Sequence, residues 1–189
     1  MNIQIIIGST RPGRVGPQIA DWMVEQLPKS DTTTYEIVDI VDWKLPLFDE
    51  PIHPSMNQYM HAHTKAWSQH IKKADAYILL SPEYNAGYPA ALKNAIDYLF
   101  HEWTDKPVMI VSYGVGGGST ASGQLRQVAE RLKMRPTATS PAFVITREMS
   151  GEDGQIKDIT ESFKPYAAAL KMAADELLNI GTTPDAAIA

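Results

Sequence analysis

Short apolar runs alternate along this chain with longer stretches in which apolar residues recur every three to four positions. The runs are Ile5 to Ile7, Tyr35 to Ile40, Ala76 to Leu80, Pro107 to Tyr113 and Thr137 to Thr146, and each predicts a strand. The unbroken hydrophobicity of the first and third suits strands buried on both faces. Between them, Ile19, Met23 and Leu27 fall four apart with Ala20 and Val24 beside them, so Pro17 to Leu27 predicts an amphipathic helix that Pro28 ends. Ser55 is placed to cap a helix running to about Ala74, with Tyr59, Met60, His63, Trp67 and Ile71 roughly on one face. Pro89 suits the first turn of a helix with Leu92, Ala95, Ile96 and Leu99 inward, and Leu125, Val128, Ala129 and Leu132 mark the next. Tyr166, Leu170, Ala173, Leu177 and Leu178 form the stripe of a last helix, from about Ser162 to Asn179. Residues 41 to 54 read as a long loop, because Pro46, Pro51 and Pro54 bar regular structure.

Strand and helix thus alternate five times, the signature of a parallel sheet with helices on both faces. Right-handed crossovers wind such units into a doubly wound, flavodoxin-like order. The expected fold is therefore an α/β five-stranded parallel sheet. Strands two and five are its edges, which agrees with Pro141 in the fifth. The 189 residues, 44% hydrophobic and 21% charged, suit one soluble domain spanning 1 to 189. A formal net charge of -5 argues against a nucleic-acid surface. The chain has no cysteine, which removes disulfides and thiolate chemistry and fits a reducing compartment. Its N-terminal apolar run is too short for a signal peptide or a membrane span, so a cytoplasmic protein without membrane contact is expected.

Candidate chemistry gathers in three loops that follow the central strands. The first, Gly8 to Gly16, is rich in small and basic residues and leads into a helix with Pro17 in its first turn. Backbone N–H groups and the helix dipole favour an anion there. Ser9 and Thr10 add hydroxyls, and Arg11 adds a planar fork for phosphate. Its spacing matches neither the triphosphatase loop nor the dinucleotide glycine fingerprint. The second loop, Ser81 to Tyr88, offers an aromatic ring at Tyr84 and an amide at Asn85 that suits the edge of a flat heterocycle. Pro82 and bulky neighbours predict a stiff loop that avoids positive φ, its only glycine being Gly87. The third carries Gly114, Gly116, Gly117 and Gly118, which let backbone approach a ligand closely. A flat ring system with one terminal phosphate fits all three, and FMN is such a molecule. For each loop taken alone, the alternative is a turn that only joins strand to helix. No metal site is expected: His61 and His63 stand two apart on a predicted helix and so point to different faces.

The motifs carry a resemblance. Gly8-Ser9-Thr10-Arg11, Pro82-Glu83-Tyr84-Asn85 with Gly87 and Pro89, Leu92-Lys93-Asn94-Ala95-Ile96-Asp97 and Gly114-Val115-Gly116-Gly117 resemble the NADPH-dependent FMN reductase family. The likeness runs from Ile3 to about Leu178. It implies flavodoxin-like flavoenzymes, including quinone, azo-dye and chromate reductases, that pass a hydride from NADPH or NADH through FMN to a small-molecule acceptor in ping-pong fashion. By resemblance, Ser9 and Arg11 with the backbone that follows, Arg14, Val15 and Gly16, hold the FMN phosphate. Pro82, Glu83, Tyr84 and Asn85 flank the ring system, and Gly114, Gly116 and Gly117 approach its other side. No catalytic side chain is implied. Many members carry a second serine and an asparagine where this chain has Arg14 and Gly16, which leaves flavin phosphate, NADPH phosphate and solvent as partners for Arg14. A flavodoxin-type electron carrier is the alternative function. The loop Trp43 to Phe48 is apolar and follows an edge strand, which suggests a contact with a neighbouring subunit near that subunit's FMN, packing on its own domain being the default alternative. The resemblance implies homodimers or homotetramers.

Overall fold

The computed structural model describes residues 1–182. Five helical segments and five strand positions alternate as the pattern requires. Strand β1 (Asn2–Ile7) pairs in parallel with both β2 (Thr34–Asp39) and β3 (Ala76–Pro82), and β3 pairs with β4 (Pro107–Gly114). The order β2-β1-β3-β4-β5 is the doubly wound one, with β1 and β3 as central neighbours. The fifth strand comes in two pieces, β5 (Arg135–Pro136) and β6 (Ala142–Val144), both parallel to β4. Pro141 lies between them. It has no N–H to give the ladder, yet its carbonyl accepts the Ser112 N–H at 3.0 Å, so the edge survives the interruption.

Alternation along the strands feeds two cores. Ile3, Ile5, Ile7, Ile78, Leu80, Val111 and Tyr113 face α1 (Gly16–Gln26) and the C-terminal helices. Ile6, Tyr77, Leu79, Val108 and Ile110 face the other three long helices. Trp22 and Trp67 are core residues, 2% and 0% exposed; Trp22 meets Phe143 and Phe163 edge-on.

The proline-rich stretch after β2 is more ordered than its composition suggests. It opens with a one-turn helix, α2 (Ile40–Trp43), because the Asp39 carboxylate accepts the Val41 N–H at 3.1 Å and caps it. Trp43 then turns inward against Trp67 and His70 rather than outward. Ser55 starts only a 3₁₀ turn, Pro54–Met56, and the long helix α3 begins later (Ala62–Ile71). What sets that start is distant in sequence: the buried Glu50 carboxylate accepts the N–H groups of Met60 at 2.8 Å and His61 at 3.0 Å. The following α4 (Ala90–Asp97) holds the loop in place through Asn94, whose amide donates to the Pro46 carbonyl at 2.7 Å and accepts the Phe48 N–H at 2.8 Å. Beyond β4 runs α5 (Ser119–Arg131). The expected last helix is α6 (Ile159–Phe163) and α7 (Ala167–Thr182), joined by a 3₁₀ turn that carries Pro165.

The turn after β3 departs from the negative-φ loop expected of its sequence. Tyr84 and Gly87 exchange both backbone hydrogen bonds, at 2.8 and 3.1 Å. Asn85 and Ala86 between them have φ of 50° and 60°. Two central residues at positive φ mark a mirror-image turn, and asparagine tolerates that conformation while alanine resists it. The turn is stiff because it is closed, by that bond pair and by the Gln124 amide donating to the Ala86 carbonyl at 3.0 Å.

Two outcomes follow from these contacts. Ala86→Gly relieves the positive-φ strain and is expected to stabilise the protein by about 0.5–1 kcal/mol, roughly 1–4 °C in Tm; a lower Tm by calorimetry would contradict the turn. Glu50→Gln is expected to destabilise by about 1–2 kcal/mol at neutral pH. Burial pushes the Glu50 carboxyl up, but the hydrogen bonds it accepts and nearby His61 outweigh this and hold it below the usual glutamate range. A depressed acid contributes its stability above the unfolded value, near 4.3, and loses it as pH falls through the folded one. Denaturant curves of parent and variant should therefore converge below about pH 4; a gap independent of pH would sink the assignment.

Candidate active site

The carboxyl ends of β1, β3 and β4 open onto a cleft of about 430 Å³, within the range of small-molecule sites. Its floor and first wall are Arg11, Gly13, Arg14 and Val15 from the loop before α1. Pro82, Glu83 and Tyr84 form the second wall, and Tyr113, Gly114 and Val115 the third. Three loops expected to converge from sequence do converge.

The first loop is built to receive an anion. No side chain caps α1 at Val15, and its first turn holds no acidic residue, so the helix end keeps its positive potential. Gly16 lies directly beneath: a Cβ there would sit 2.8 Å from Ile7 Cγ2 and 3.1 Å from the Tyr113 hydroxyl. Ser9 is fully buried, its hydroxyl 2.6 Å from that of Tyr84, which ties the first two loops together. Arg11 is exposed on the cleft wall. Arg14 pairs with Asp39 at the end of β2, a partner within its own chain that the sequence did not suggest. Its Nε remains buried with no acceptor, and so does the Tyr113 hydroxyl. Burial pushes the Tyr113 phenol up, so it keeps its proton and stands as a donor. Two unpartnered buried donors beside an uncapped helix end are the chemistry of a phosphate monoester site, so the residues present fit the anionic end of FMN.

The other two loops are coupled by Glu83. Its carboxylate accepts the N–H groups of Thr120 at 3.0 Å and Ala121 at 3.1 Å, at the end of α5 that Gly118 leaves without a side-chain cap. Its own N–H donates to the Tyr113 carbonyl at 3.2 Å. The Glu83 side chain therefore fixes the distance between two walls. Gly114 has φ of 154°, a conformation open chiefly to glycine. Asn85 stands exposed at the turn tip, Gly116 faces open space, and Gly117 packs against Ala142; none of the three lines the cleft.

Sequence reasoning missed Tyr113 and a fourth wall. Tyr113 was legible, since it continues the inward alternation of Met109 and Val111 to the last turn of the strand. The fourth wall is Ile145, Ser150 and Gly154. It is a small hairpin bridged at Ser150 and Ile156. Gln18 clamps it to α1 through both hydrogen bonds of Ile156, at 2.8 and 2.9 Å, and Gln155 donates to the Gly13 carbonyl at 3.3 Å. Nothing in its composition marks it as part of a site.

A second cleft of about 430 Å³ lies on the far side of the first loop, between Thr10, Lys44 and the start of α4. None of the unpartnered buried donors reaches it. The histidines sit elsewhere. His61 precedes α3 instead of lying within it, so its ring stacks on His63 at 5.2 Å and both contact Asp49. Among the described residues no group of three or more potential ligands is arranged to hold a metal ion.

The NADPH-dependent FMN reductase family matches residues 1–149. An NAD(P)H-dependent FMN reductase of Schizosaccharomyces pombe is 43% identical over 176 residues, covering 92% of this chain and 87% of the relative. A quinone reductase of Pseudomonas putida is 30% identical over 174 residues, with 86% and 88% covered. Among solved structures, the flavoenzyme NAD(P)H:(acceptor) oxidoreductase FerB of Paracoccus denitrificans superimposes with a TM-score of 0.72, covering 94% of this chain and 97% of its own, at 19% identity. That likeness shows the fold, while the sequence matches reach further: the chain belongs to the NADPH-dependent FMN reductase family.

Proposed function

We propose that this chain is a single-domain, cytoplasmic FMN-dependent reductase that takes reducing equivalents from NAD(P)H and delivers them to quinones or similar small acceptors. The observation that carries the reading is the pair of unpartnered buried donors, Arg14 Nε and the Tyr113 hydroxyl, at the uncapped end of α1 inside a cleft of flavin size. The names of the relatives support it. Bound FMN would supply the redox chemistry, hydride exchange between NAD(P)H and the acceptor.

The chain's own residues bind and shape. Arg11 and the N–H groups of Val15 and Gly16 would hold the phosphate, and Ser9, buried and paired with Tyr84, would brace the loop from below. Pro82 to Tyr84 and Gly114 to Val115 would receive the ring between them, at a separation that Glu83 fixes. No histidine lines the cleft and the Glu83 carboxylate is occupied, so binding and electrostatics rather than acid–base side chains carry the protein's part. A second copy of the chain completes the reading. Leu47, Phe48, Met56 and Met60 are 85%, 41%, 60% and 58% exposed along one short segment, an apolar surface suited to a homodimer or homotetramer contact.

The purified protein is expected to show flavin absorbance that NADPH bleaches anaerobically and a quinone restores, with parallel double-reciprocal plots. Bound flavin that NADPH leaves oxidised would instead favour the electron carrier, and failure to take up flavin under any loading condition would overturn both. Sedimentation at micromolar concentration should give a dimer or tetramer that Leu47→Asp shifts toward monomer; a monomeric parent protein would contradict the contact.

A further inference from the structure

Tyr113 is not part of any motif in this chain, yet its hydroxyl has the least explained position in the molecule. The side chain is 4% exposed and closes the core beneath α1. The hydroxyl makes no well-formed hydrogen bond within the chain; the Ser9 hydroxyl lies close enough to favour its ionised form slightly, but is itself paired at 2.6 Å with Tyr84. A buried phenol without an acceptor carries a desolvation cost that a phenylalanine at the same place would avoid. Gly16 keeps the space above it clear, since any side chain there would crowd the hydroxyl at 3.1 Å and Ile7 at 2.8 Å. The first turn of α1 therefore rests on an open O–H donor, with the free N–H groups of the helix end next to it.

We propose that the Tyr113 hydroxyl is a phosphate ligand, donating its hydrogen bond to the phosphate monoester of the bound flavin and so selecting the phosphorylated flavin over riboflavin. This rests on the reading that the cleft holds FMN. Arg11, on the exposed wall, supplies charge that solvent and salt weaken. Tyr113 supplies a neutral donor from the buried side, where a hydrogen bond to an anion is strongest. Arg14, already neutralised by Asp39, directs its remaining Nε donor from the α1 loop of the same wall. The phosphate is thereby recognised from the core as well as from solvent.

The test compares FMN with riboflavin, titrated into flavin-free protein and followed by flavin fluorescence. Wild type should prefer FMN, and Tyr113→Phe should weaken FMN by about tenfold or more while leaving riboflavin unchanged. The flavin-free variant should melt no lower than wild type, since its lost hydroxyl had no partner. An unchanged preference for FMN in the variant overturns the proposal while sparing the flavin reading. A markedly lower melting temperature of the flavin-free variant also overturns it, because it would reveal a structural partner for the hydroxyl. Equal binding of both flavins by wild type overturns it too. A wild type that binds neither removes the flavin reading itself, and the proposal with it.

Discussion

Two adjacent parallel strands at the centre of the sheet send their chains to opposite faces. From β1 the chain turns toward α1, and from β3 it turns toward α4. A right-handed crossover allows no other arrangement, and the loops must part where the strands end. That parting is the cleft. The strand ladder sets the level at which the loops depart, since β1, β3 and β4 are in continuous register. Helix ends then supply the potential, and the loops supply whatever touches a ligand.

A cleft made of loops must be stiffened by something other than secondary structure. Here three side-chain contacts do so, each joining a pair of walls. Ser9 and Tyr84 join the first loop to the second, Glu83 joins the second to the helix after the third, and Gln155 joins the hairpin to the first. The first two use polar groups, Ser9, Tyr84 and Glu83, that sequence alone would assign to the ligand. Glu83 is the clearest case. In a motif it reads as a ring contact; in the fold it is the cap that α5 lacks. A binding motif is therefore partly a record of how a site is braced, which is why a long motif can be specific even where only some of its residues face the cleft.

The fold was legible because its signal is redundant. Five strands and their helices each carry their own periodicity, and the apolar runs of β1, β3 and β4 leave little choice of partner. What escaped was decided at long range. The start of α3 is fixed by Glu50, ten residues and a proline-rich stretch away, so the local cap signal at Ser55 lost. Pro165 divided the last helix, and Pro141 divided the edge strand without displacing it. The three site loops were found from their composition. Tyr113 was missed because a strand residue reads as core, and the hairpin at 145–156 because its role comes only from being clamped to α1 by Gln18. Arg14 could not be placed from sequence: its partner Asp39 ends a different strand.

The central claim is that the ligand's phosphate lies at the end of α1 and its ring between the second and third loops. Two clefts of similar size flank the same loop, so the claim is one of place and not of volume. A crystal structure of the protein grown with FMN decides it directly. The expected result is phosphate density within hydrogen-bond distance of Arg11, the Gly16 N–H and the Tyr113 hydroxyl, with the ring against Pro82 to Tyr84 and Gly114. Flavin density in the other cleft, between Thr10, Lys44 and the start of α4, would contradict it.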